Sequence, residues 1–132
     1  MSGNSSAALC IYSQTKSVAD ISALMGTNPS RSIDRGQPVS ERNPKGRKSE
    51  ESRWILDSAL PEATPLDEHV AALLAIVEKK AVALANSDIE IRCTFSSENS
   101  QGGFVLKADV SKRLAEQRVD LIVSLYSLGD GP

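Results

Sequence analysis

Residues 89–95 read IEIRCTF, and their alternation decides the fold: Ile89, Ile91, Cys93 and Phe95 fall on one side of an extended chain, Glu90, Arg92 and Thr94 on the other. A strand of this kind has one buried and one wet face, as in a sheet covered on one side only. The closing segment VDLIVSLY, 119–126, alternates in the same way. Working outward, AALCIYS at 7–13 and RWILDSA at 53–59 are rich in strand formers. In the latter, Trp54 and Leu56 face one way and Arg53, Ile55 and Asp57 the other.

Helical spacing separates these strands. Ser17 opens SVADISALMG with Asp20 as a capping-box acid, Val18, Ile21, Leu24 and Met25 on one face and Gly26 as the stop. Thr64 is expected to cap the main helix, with Pro65 at its first position and Asp67 and Glu68 in its first turn. Its apolar stripe passes through Leu66, Val70, Leu73, Leu74 and Val77, and the helix is expected to run to about Asn86. A third helix is expected from Ala108 to about Gln117, with Val110 and Leu114 on one side, after a turn in which Gly102 and Gly103 supply positive φ.

The stretch 27–52 breaks the pattern with Pro29, Pro38 and Pro44 and hardly a large apolar residue. Connections this long are functional or disordered. An edge strand is expected around Arg31 to Arg35 and mobility over the rest. Residues 31–53 hold seven basic residues against four acids, a net charge of +3 in a chain whose total is -2.

The alternating order of strands and helices predicts an α+β fold: two layers, with a mostly antiparallel sheet of four to five strands and three helices packed on one face. One domain is expected over 8–127, including the long basic loop 27–52, with flexible ends at 1–7 and 128–132. At 132 residues, 40% apolar and 24% charged, the chain is long enough for a core without disulfides. No apolar run approaches the roughly 18 residues that span a bilayer, and MSGNSSAALC lacks the basic start of a signal peptide, so the expected compartment is the cytoplasm. Nothing in the charge balance favours nucleic acid.

Signals of catalysis are weak. Cys10 and Cys93 are read as two buried thiols, and a single histidine, His69, leaves no zinc set, so neither metal nor cofactor is expected. His69 is placed at a surface or boundary position of the main helix. QGGFVLK matches the centre of an RNA-binding RNP1 motif but lacks its flanking aromatics, and PKGRKS has the composition of a phosphate loop without its spacing.

Several segments resemble a known family in order. ISALMGTNPSRSIDRG is similar to a pattern of a Gly-ended helix followed by Pro-Thr/Ser-Arg and a basic-Gly pair, and WILDS to a Trp-x-Leu-x-Ser signature. LDEHVAALLAIV follows, then QGGFVLKADVSKRL and DLIVSLY. Together, over about residues 8–127, they resemble the mainly bacterial family known as domain of unknown function 4279. Where that pattern has Leu-Ser-Pro and Leu-Gly around the third helix, this chain has Leu106, Lys107 and Ala108, and then Gln117 and Arg118. The resemblance implies the fold and carries no catalytic residue or ligand.

Two functional readings follow. The first is a non-catalytic protein-interaction module of the immunity or regulatory type, holding a protein partner with the polar sheet face and the basic segment. The second is a small-anion or nucleotide-binding domain, with or without catalysis, in which the same arginines clamp a ligand. Both place binding at Arg31, Arg35, Arg53 and Trp54. A homodimer through an exposed strand edge is compatible with either.

Overall fold

One-sided alternation needs a second apolar surface, and in the computed structural model three helices provide it from one side of a single sheet. The structure describes residues 4–40, 42–84, 87–97 and 103–127. The elements are β1 (Asn4–Ser13), α1 (Val18–Met25), β2 (Arg31–Ile33), β3 (Ser52–Asp57), α2 (Leu66–Lys79), β4 (Asp88–Ser97), α3 (Ala108–Glu116) and β5 (Asp120–Ser127). The five strands lie in the order β2-β3-β1-β4-β5. β1 is antiparallel to β3 and β4, and β3 to β2, whereas β4 and β5 run parallel across α3. The first four strands and two helices form the double split βαβ arrangement of ferredoxin-like folds, to which α3 and β5 add a strand beside β4.

Register explains the layering. Leu9 sits between Leu56 and Ile91, and Ile11 between Trp54 and Ile89. These residues share the helical face, where Val70, Leu73, Leu74 and Val77 of α2 join Ile21 and Met25 of α1 and Val110 and Leu114 of α3. Each such side chain, fully buried, contributes about 1.5–3 kcal/mol. Trp54 is fully buried, and its indole N–H donates to Ser22 Oγ of α1 at 3.0 Å, so its polar atom is satisfied. On the solvent side of the helices, Arg113 grips Glu78 with two bonds of 2.7 and 2.9 Å, which joins α3 to α2 and lowers the Glu78 pKa.

α1 forms as its sequence dictates. Ser17 Oγ accepts from the Asp20 amide at 3.1 Å, the Asp20 carboxylate accepts from the Ser17 amide at 3.3 Å, and Gly26 ends the helix at φ 71°. α2 departs from expectation at both ends. Pro65, not Thr64, is its N-cap, without a side-chain cap bond, and it stops at Lys79, where Lys80 at φ -117° leaves helical geometry. The chain then turns through 81–84 with Leu84 still buried. Asn86 lies outside the described residues.

Residues 4–7, expected to be flexible, belong to β1: Asn4 pairs with Ser96 and Ser5 with Phe95, and the Ser5 amide donates to Glu62 O at 2.8 Å. The remaining expected flexible ends, 1–3 and 128–132, lie outside the described residues. The basic loop, expected to be mobile beyond its edge strand, folds back as a small antiparallel hairpin. The Val39 amide donates to Arg47 O at 2.9 Å, and Gly36 and Gln37 exchange backbone bonds of 2.8 Å with Ser49. Asp34 Oδ1 ties its start to α1 by accepting from the Val18 amide at 2.7 Å, where the carboxylate also complements the helix dipole. Gly103 does not take the expected positive φ, and Gly102 lies outside the described residues.

α3 ends in a Schellman motif: the Val119 amide donates to Leu114 O at 2.9 Å and the Arg118 amide to Ala115 O at 3.1 Å. This motif forces its hinge residue into left-handed space, and Arg118 sits there at φ 56°. It occupies the position where the family pattern has Gly. An L-residue at this φ costs roughly 1–2 kcal/mol that glycine escapes. Arg118→Gly is therefore expected to raise unfolding free energy by about 0.5–1 kcal/mol in urea titrations, against the usual destabilising effect of added glycine.

Candidate functional site

The alternation that fills the core leaves the other sheet face without helical cover. Its middle has a floor of small residues: Ala8 and Cys10 of β1 are buried there by their neighbours alone. Ala8 lies between Asp57 of β3 and Arg92 of β4, and Cys10 between Ile55 and Glu90. Beyond these pairs, Arg31 lies opposite Ile55 on β2, and Asp120 opposite Glu90 on β5. A cavity of about 490 Å³ opens over the Ala8 end of this floor and Ser6, with Arg31 and Asp57 on one side and Arg92 and Thr94 on the other.

The charges around it are organised. Arg31 meets Asp57 at 3.3 Å. Glu90 Oε1 accepts from the Tyr12 hydroxyl and from Arg92 Nε, the latter at 2.7 Å. Burial, then the bond to Glu90, push the Tyr12 pKa well above its usual range, so the phenol stays a donor. Hydrogen bonding to Glu90 raises the Arg92 pKa. The result is a face of fixed, mutually compensated charges presented by rigid strands.

Of the residues expected to bind, three arginines lie at this face and its β2 rim. Arg31 and Arg53 point the same way from adjacent strands. Arg53 is half-buried, and its Nε has no hydrogen-bond partner beside a small cavity of about 120 Å³ that Arg47, Lys48 and Glu51 also line. Arg35 follows β2 and donates to Gln14 O at 2.6 Å, which binds the rim to the end of β1. Trp54 stands apart from all three, in the core on the opposite face. Arg92, expected on the polar sheet face, completes the site with Tyr12 and Asp57, which the sequence did not mark as binding residues. For Asp57 the signal is parity with Arg53 on β3, and for Arg92 it is the outward side of 89–95; Tyr12 has no such neighbour on β1 and is brought in by the register with β4.

Cys10 and Cys93 are free and buried, as expected, and lie on opposite sheet faces, since Cys93 pairs with Ala7 on the helical side. Burial raises both pKa values, that of Cys93 from 9.0 to about 12. The native state therefore holds the Cys93 proton after the unfolded chain has lost it. Stability is full below pH 9 and falls as pH rises from 9 toward about 12, by at most about 1.4 kcal/mol per pH unit for this group. Equilibrium unfolding across that window is expected to show the decline, with a shallower slope in Cys93→Ala.

His69 is not at the surface: it is fully buried under α2, with Nδ1 2.7 Å from Ser58 Oγ and Nε2 without a partner. Ser58 follows Trp54 and Leu56 just past the end of β3; its hydroxyl meets His69 of α2, and the residue also borders the charged cavity. No carboxylate orients the ring, as a serine nucleophile's base would require. The pair is a clasp between α2 and the end of β3. Ser58→Ala is expected to cost about 1–3 kcal/mol in urea unfolding by leaving a second ring nitrogen unpaired, and Ser58→Ala/His69→Leu to recover most of it.

Among the described residues no group of three or more His, Cys, Asp or Glu side chains can hold a metal ion, and no helix is long and apolar enough to cross a membrane. Fold and face together define a small α+β domain whose sheet carries helices on one side and a charge-paired surface on the other. The chain belongs to the family described as Domain of unknown function (DUF4279), whose model matches residues 3–128. Neither a curated protein nor a solved structure matches it.

Proposed function

We propose that this is a non-catalytic protein-interaction module of the bacterial cytoplasm, of the immunity or regulatory type, and that its working surface is the open sheet face with its arginine rim. The observation that carries this reading is the set of paired charges on rigid strands: Arg31 with Asp57, and Tyr12 and Arg92 with Glu90. Arginine and tyrosine held in place lose little conformational freedom on docking and are the residue types that dominate interface energetics. The small-anion reading is less well supported. Arg31 and Arg92, on the two sides of the larger cavity, each already pair with a carboxylate, which offsets part of the positive charge that an anion would meet there.

The test is capture from native host lysate by tagged protein, wild type beside the Arg31, Arg35 and Arg53 to Glu variant, read by mass spectrometry. Because Arg35 also bonds Gln14 O, the variant is first checked for an unchanged circular dichroism spectrum. A stoichiometric partner present with the wild type and lost with the variant is the expected result. Undiminished capture by the variant contradicts the reading. Bait alone, with a melting temperature raised by phosphates, nucleotides or carboxylates in wild type only, favours the small-anion domain.

A further inference from the structure

The two edges of the sheet are unequal. β2 is three residues long, carries Arg31, and runs straight into the hairpin of the basic loop. It is the kind of short, charged edge that resists further pairing. β5 is eight residues long, DLIVSLYS, with no proline, no lysine and no arginine. No described residue pairs with its outer side. Leu125 and Tyr126, near its end, are 67% and 57% exposed. A long apolar edge left open is a template for another strand.

We propose that the occupant is β5 of a second copy, paired antiparallel about a two-fold axis, so that the protein is a homodimer with one continuous sheet. The charge pattern selects this arrangement. Asp120, at the start of β5, is its one charged residue. Antiparallel pairing sends the two Asp120 side chains to opposite ends, whereas parallel in-register pairing would stack them. With the axis at Val123, Leu121 faces Leu125 of the second copy, Ile122 faces Ser124, and the Asp120 carboxylate comes opposite the Tyr126 hydroxyl, a donor it can accept from. Every direct pair is then compatible across both faces. Pairing β5 with β2 of a neighbour would match eight residues with three and would propagate without closing. The dimer joins the open faces of the two copies side by side, and it is independent of what the arginine rim binds.

The experiment is sedimentation equilibrium over a micromolar concentration series on wild type, Leu125→Lys, Tyr126→Lys and the triple arginine variant. Both lysine sites are exposed, so the circular dichroism spectrum is expected to stay at the wild-type shape, with any fall in melting temperature limited to the stabilisation lost with the dimer. Wild type is expected at twice the 14.1 kDa chain mass, with the dimer dissociation constant raised about tenfold or more by either lysine. The triple arginine variant should remain dimeric. A monomeric wild type throughout the series overturns the proposal, as does a dimer that survives both lysine substitutions or is lost in the arginine variant alone.

Discussion

Everything in this fold depends on β1, the strand held between β3 and β4 by antiparallel pairing on both sides. Its side chains alternate between large and small: Leu9 and Ile11 enter the helical layer, while Ala8 and Cys10 face the open side. Since the side-chain period of a strand is two, a one-residue slip would bring Ala8 and Cys10 under α2 and push Leu9 and Ile11 into water. That penalty locks the register of three strands at once. It also shapes the open face, because small residues on the central strand leave room for Arg31, Asp57 and Arg92 to rise around them.

A surface built this way is preorganised. Glu90 holds Tyr12 and Arg92, and Asp57 holds Arg31, before any partner arrives. The exposed Arg31–Asp57 pair adds little to stability, since such pairs contribute about 0–1 kcal/mol. Its consequence lies in fixing where the guanidinium points. The buried polar groups serve a different end: Trp54 to Ser22 fastens α1 to the sheet, and Ser58 to His69 fastens α2. Fastening on one side and presentation on the other are both outcomes of strand alternation.

What could be read from the sequence was whatever depends on neighbours along the chain. The capping box of Ser17 and Asp20, the Gly26 stop and the alternation of 89–95 involve residues within a few positions of one another, and each formed as read, while the edge strand expected around Arg31 to Arg35 formed over Arg31–Ile33. Thr64 misled because Pro65 already has the extended backbone that an N-cap requires, at ψ 144°. His69 misled because it flanks the apolar stripe, and only the approach of Ser58 shows that it lies under the helix. The pairing of 36–39 with 47–49 was hidden by a composition that reads as disorder, though Asp34 and Arg35 anchor it to α1 and to Gln14. The Tyr12–Glu90–Arg92 cluster is furthest from local reading: 78 residues separate Tyr12 from Glu90, and the β1–β4 register alone brings them together. The separation of Trp54 from the arginines follows from parity, since Arg53 and Trp54 are successive residues of one strand.

On the proposed function, the uncovered sheet face, not the helical layer, meets the partner. Side-chain footprinting of arginines with phenylglyoxal, comparing the free protein with its captured complex, tests it most directly. Protection of Arg31, Arg53 and Arg92, with Arg113 on the helical side as reactive as in the free protein, is the predicted result. Protection of Arg113 while Arg31 and Arg92 remain fully reactive would contradict it.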